Sequence, residues 1–387
     1  MNTRELMEKR LGGFTVHRLD LNDQLDEALK LNPPGQRRIT DPEMQAMAGR
    51  IKSKTKTPKE RMGAYIHASN ITKTDDAADV WDLDQLRQKI TKRPLTLMGI
   101  NTKMVKSAPN AKMVKSSGKD KVLYDISLPA LKGIVVDEET GEFVEITTCP
   151  SAGECQKYCY ARRGGYVLFP ASSLSAARAL NFLVNDPAGY FGLISTEINK
   201  IKKKLKKKDI ELVVRWHDAG DFFSKEYLEM ALDLAKANPD VQFYAYTKVA
   251  DIAVGNLPSN FLINFSTGAK RSDVIQIQRA KDAGKTVKQA ITVPQSMFWD
   301  LIQHEGNALI KDAKGRIQFK DAKSLNTFRQ QLAKTYHVPV QDIITYDQML
   351  DTPQSDQPRW HVIVTPGDGD RAAFRPDVIT SFLLWHR

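Results

Sequence analysis

From residue 134 onward, apolar positions fall into short runs that alternate with amphipathic stretches. Phe143-Val-Glu-Ile146 reads as a short strand, and residues 172–181 open a helix rich in Ala and Leu. Ile194, Ile198, Ile201 and Leu205 follow at spacings of four, three and four, the inner stripe of a second helix whose lysines at 200–208 form its solvent face. Residues 210–216 are almost continuously apolar and β-branched, as expected of a strand buried on both faces. Ser224 caps a helix over 225–237 that Asn238-Pro239 stops. Strands are expected at 241–248 and 261–268, then a helix over 274–283 and a strand within 286–293. A helix over 326–336 and a strand over 361–365 close the series. This alternation predicts an α/β fold built on a parallel sheet or barrel.

The first 95 residues are different. They mix breakers such as Asn32-Pro-Pro-Gly35 with a basic connector at 52–61, and one better helix at 75–90 carries a stripe of Ala78, Val80, Trp81, Leu83, Leu86 and Ile90. Lys-Met-Val-Lys-Ser occurs twice, at 103–107 and 112–116, about a Pro-Asn turn, which suggests a hairpin with exposed lysines. The chain therefore divides into a helical, basic accessory segment over 1–95, a βα core over 96–300 and a C-terminal α/β extension over 301–387 that completes the core.

Composition narrows the class. The 387 residues are 41% apolar and 27% charged, ordinary for a globular chain, and no apolar run reaches the roughly 20 residues a membrane span needs. A cytoplasmic location is expected, with no membrane partner and with thiols kept reduced. The formal charge of +11 favours a polyanionic partner, a nucleic acid or nucleotide, although lysine runs more often form solvated helix faces.

Chemistry enters with the cysteines. Cys149, Cys155 and Cys159 are the only three in the chain and lie within eleven residues, with Pro150 and Gly153 between them. An odd count on so short a loop argues against a disulfide framework and for thiolate ligation of a metal. His217 would complete a tetrahedral zinc site, or three cysteines would hold an iron–sulfur cubane with one iron open; His217 as an ordinary hydrogen-bonded residue is the other reading. In parallel βα folds the carboxyl ends of the strands form the active face, and there the sequence places the cysteines, His217 to Asp221, Thr247 and Lys248, Ser266 to Arg271, and Asp368 with Asp370.

The motif order, a strand into a three-cysteine loop with Tyr158 before Cys159 and Asp218-Ala-Gly-Asp221 after the next strand, resembles the radical S-adenosylmethionine (SAM) superfamily. Asn110-Ala-Lys112, Ser127-Leu-Pro129, the cysteine loop, His217-Asp-Ala-Gly-Asp-Phe-Phe-Ser224 and Asp368-Gly-Asp-Arg-Ala-Ala-Phe-Arg-Pro-Asp377 together resemble the phage family called gene product eighty-eight. The resemblance implies an incomplete parallel βα barrel and a [4Fe-4S] cluster on Cys149, Cys155 and Cys159. It further implies SAM held by Tyr158, Asp218, Gly220 and Asp221 with Ser266 or Lys270 at its carboxylate, an external reductant, and a radical-SAM-like reaction on a substrate the sequence does not name. The cysteines here are spaced by five then three residues, where that superfamily commonly has three then two.

Overall fold

The computed structural model describes residues 16–18, 83–100, 120–157, 159, 161, 170–206, 210–294, 296–297, 309–311, 317–365 and 368–384. The paired Lys-Met-Val-Lys-Ser segments, the 52–61 connector, Tyr158 and most of the first 82 residues lie outside them. The chain divides into two compact units. The first comprises Met1–Met98, Ile126–Ile198 and His217–Leu234, and the second Gly99–Asp125, Asn199–Trp216 and Ala235–Arg387.

Elements are numbered along the chain. They begin with β1 (Val16–Arg18), α1 (Leu83–Thr91), β2 (Gly99–Ile100), β3 (Asp120–Ile126), β4 (Lys132–Val136), β5 (Phe143–Thr147), α2 (Pro170–Asn185) and α3 (Pro187–Lys206). The middle holds β6 (Ile210–Trp216), α4 (Lys225–Lys236), β7 (Gln242–Thr247), α5 (Ala250–Ala253), β8 (Phe261–Ser266), α6 (Arg271–Asp282) and β9 (Gln289–Thr292). The last part holds β10 (Leu309–Lys311), β11 (Ile317–Phe319), α7 (Ala322–Tyr336), β12 (Ile343–Thr345), α8 (Tyr346–Asp351), β13 (Trp360–Val364) and β14 (Val378–Leu383).

In the first unit β1, β5 and β4 form an antiparallel sheet in the order β1-β5-β4. The β4–β5 turn is set by Asp137, which is fully buried: its carbonyl accepts from the Gly141 amide at 2.7 Å and its carboxylate from the Glu139 amide and the Thr140 hydroxyl. The outer edge of β4 would leave backbone groups unpaired. Helix α2 covers it with two asparagines: Asn181 accepts from the Val136 amide at 2.8 Å and donates to the Ile134 carbonyl, and Asn185 donates to the Val136 carbonyl at 2.9 Å. Ile90, Val136, Phe143 and Ala177 close the small core beneath.

The second unit is a nine-stranded sheet in the order β12-β13-β14-β9-β8-β7-β6-β3-β2. Every pair from β12 to β6 is parallel, and β2 pairs with β3 antiparallel. The expectation of an α/β fold with a mostly parallel sheet holds. Leu212, Val213, Val214 and Trp216 of β6 are all buried, which accounts for the unbroken apolar run. One expectation is overturned. The strand that delivers the cysteines, β5, is not the first strand of the parallel series, because it pairs with β4 across a tight turn; that local contact closes a short loop rather than a long crossover.

At the far end of the sheet His361 on β13 is 6% exposed beside Phe382, and burial holds its imidazole down to about 4 against 6.5 unfolded, the Asp342 carboxylate offsetting part of the shift. Between these two values the unfolded chain binds more protons than the folded one, so stability falls as the pH drops through that window. The loss attributable to His361 is about 2–3 kcal/mol. Urea midpoints measured from pH 6.5 down to 4 are expected to fall less steeply in His361→Gln than in the wild type.

Candidate functional site

The sequence-predicted residues fall in both units. Cys149, Cys155, Cys159, Asp218, Gly220 and Asp221 belong to the first, and Ser266 and Lys270 to the second. In the first unit a six-residue arm, Ile126-Ser-Leu-Pro-Ala-Leu131, lies between the start of the cysteine loop and the turn that follows β6. On one side the Asp218 amide donates to the Ile126 carbonyl at 3.0 Å, and the Leu128 amide to the Ala219 carbonyl at 2.9 Å. On the other, the Thr148 hydroxyl donates to the Pro129 carbonyl at 2.6 Å, and the Thr148 and Cys149 amides to the Leu131 carbonyl at 2.9 and 3.3 Å. The Asp221 amide closes the ring, donating to the Thr148 carbonyl at 2.8 Å.

Three left-handed residues shape this junction: Leu131 (φ 66°), His217 (φ 60°) and Gly220 (φ 88°). For Leu and His such a conformation is held only when its surroundings over-determine it, and such residues gather where a segment must be aimed. Leu131 aims at Cys149. Its amide donates to Cys149 Sγ at 3.3 Å, which fixes the position of the sulfur. His217 is fixed by a 2.7 Å hydrogen bond between Nε2 and the Tyr227 hydroxyl and by the edge of its ring against Phe222. Burial pushes the Tyr227 phenol well above its usual range, so it stays protonated and holds the imidazole. In this structure His217 is therefore a hydrogen-bonded residue through Nε2.

Beyond Cys149 the chain turns through Ala152, whose amide donates to the Cys149 carbonyl at 3.1 Å, into a short 3₁₀ turn, Glu154–Lys157, that carries Cys155. All three cysteines are unbridged and partly exposed. Among the described residues no three His, Cys, Asp or Glu side chains stand close enough to hold a metal ion, so the thiols do not form a ready-made ligand set in this conformation. The Asp221 carboxylate is buried and accepts from the Phe222 amide at 2.8 Å, whereas Asp218 is half-buried.

In the second unit the Lys248 ammonium donates to the Ser266 hydroxyl at 2.6 Å, which donates in turn to the Thr247 carbonyl. Lys270 is exposed and sits at the N-cap of α6. Asp370 accepts from Arg215 and from the Tyr244 hydroxyl, each at 2.9 Å, and Asp368 accepts from the Thr365 amide at 2.7 Å. Both strand-end aspartates thus have structural partners. Sequence reasoning did not single out Leu131 or Thr148 for this junction; Ser127-Leu-Pro129, noted only as part of a resemblance, was the available signal.

No helix among the described residues is long and apolar enough to cross a membrane. No solved structure matches the chain. The Gene 88 proteins of Mycobacterium phages L5 and D29 are each 30% identical to it over 138 residues, 35% of this chain and 58% of the relative. The chain therefore spans little more than half the length of these relatives. The family model described as Gene product 88 matches residues 95–336, which takes in the arm, the cysteine loop and the turn after β6, and the chain belongs to that family.

Proposed function

We propose that the cysteine loop is a thiolate metal centre, occupied by a [4Fe-4S] cluster ligated by Cys149, Cys155 and Cys159. The observation that carries this reading is the amide of Leu131 on Cys149 Sγ, inside a junction of three left-handed residues. Amide-to-sulfur bonds stabilise ligating thiolates and help set cluster potentials. Two further unbridged, partly exposed thiols follow within ten residues. Because the three are not gathered here, binding requires the segment bearing Cys155 and Cys159 to close on the anchored Cys149.

Protein purified without oxygen, reconstituted with iron and sulfide and desalted, is expected to keep about four iron and four sulfide per chain and to absorb broadly near 400 nm. Cys155→Ala should lose both. One zinc per chain without sulfide would make the loop a zinc site, and no retained metal of either kind would overturn the proposal. The resemblance to radical-SAM enzymes adds a finer reading, in which Asp218, Gly220 and Asp221 would hold SAM and the cluster would supply the electron for its reductive cleavage. Release of 5′-deoxyadenosine from SAM under strong reductant by the wild type, and not by Cys155→Ala, supports it. Cluster-loaded protein that releases none would limit the function to cluster binding.

A further inference from the structure

Helix α3 ends in a cluster of cations. Lys200, Lys203, Lys204 and Lys206 are exposed, and among the described residues none of the four has an ion-pair partner. Some other lysines are matched, among them Lys121 with Glu211 at 3.0 Å, Lys132 with Glu145, and on this same helix Lys202 with Asp240. The helix dipole favours cations in the last turn, which covers Lys203, Lys204 and Lys206, but its effect fades before Lys200. Against it stand like-charge neighbours at i,i+3 and i,i+4, Lys200 with Lys203 and Lys204, and Lys202 with Lys206, each mildly destabilising. An anionic partner would relieve that repulsion.

From this we infer that the C-terminal end of α3 is a docking surface for the phosphate backbone of a nucleic acid. Lys200 to Lys206 spans about 9 Å of helix, and flexible lysine stems let four ammoniums meet successive phosphates over that length. Ammonium groups read charge rather than base edges, so the contact is independent of sequence. An anionic membrane surface is the less favoured partner. An interfacial helix exposes Leu, Phe or Trp beside its lysines, whereas Ile194, Ile198 and Leu205 of α3 are buried and Thr196 and Asn199 share the exposed face.

The test is fluorescence anisotropy of the full chain with labelled single- and double-stranded DNA across a salt series. The comparison is the quadruple variant Lys200→Gln, Lys203→Gln, Lys204→Gln, Lys206→Gln, with circular dichroism to confirm its fold. Wild-type affinity is expected to fall steeply with salt, and the variant's log–log slope to be shallower by about 3, with affinity at least about 10-fold weaker at moderate salt. The matching quadruple Lys→Arg variant should retain binding. An unchanged slope in the Gln variant, or no binding at low salt, overturns the inference. Retention on phosphatidylserine vesicles without nucleic-acid binding overturns it in favour of a membrane.

Discussion

Arg375→Met is expected to destabilise the protein by about 3–5 kcal/mol, the range for removing one partner of a buried ion pair. Arg375 is 2% exposed and Asp377 fully buried. The guanidinium uses all of its donors. Nε reaches Asp377 Oδ1 at 2.8 Å, Nη1 reaches the carbonyls of Met349 and Thr352 at 2.7 and 3.0 Å, and Nη2 reaches the Pro353 carbonyl and Asp377 Oδ2. Methionine fills similar volume but leaves a buried carboxylate and three carbonyls without these donors. The carboxylate is the larger part, so Arg375→Met combined with Asp377→Leu should regain much of the loss. Urea unfolding separates the effects through the midpoint at unchanged slope. A single variant within about 1 kcal/mol of wild type would mean that the pair carries no net stability.

That pair also shows how far a motif can be read without its fold. Asp368 and Asp370 stood out in the sequence as strand-end residues of the active face, and the segment from Asp368 to Asp377 as part of a family resemblance. The structure gives its charged residues to packing: Asp370 bridges Arg215 and Tyr244, and Arg375 and Asp377 tie the chain after α8 to the start of β14. The Lys288 amine is part of the same frame, donating to the carbonyls of Ala372, Arg375 and Val378. Nothing in residue type separates such a clamp from a ligand site. Both are made of charges, and only burial with saturated partners tells them apart.

The parallel strands were legible because their signal is local. The apolar runs of β6, β7 and β8 and the stripes of α4, α6 and α7 lie within a residue or a few of where periodicity put them. Strand β14 escaped notice although it lies in the interior of the sheet, between β13 and β9. Buried Thr380 and Ser381 interrupt its apolar run, and their burial depends on neighbours remote in sequence. The position of β5 was misread for a related reason, since a four- or five-residue strand does not declare its partner. At the site, the cysteines were visible by count and spacing. Leu131 was not, because leucine rarely adopts positive φ and nothing local demands it there.

Gly220→Ala is expected to cost about 2–5 kcal/mol and to weaken metal retention with all three thiols intact. Two separate penalties meet at this residue. At φ 88° an L-residue is strained, by about 1–2 kcal/mol. An added Cβ would also lie 2.8 Å from Cβ of the fully buried Leu128, adding about 1–3 kcal/mol of overpacking. Gly284 separates the two, since it has φ 83° with nothing within 4 Å of an added Cβ. Gly284→Ala should show the conformational penalty alone and leave metal content unchanged. The clash at Gly220 instead pushes on the arm that carries Leu131, and through it on the amide held against Cys149. Urea midpoints and iron content of protein prepared without oxygen measure both effects on the same samples. Gly220→Ala that is destabilised but keeps the wild-type iron content would show that the junction supports the fold without positioning Cys149.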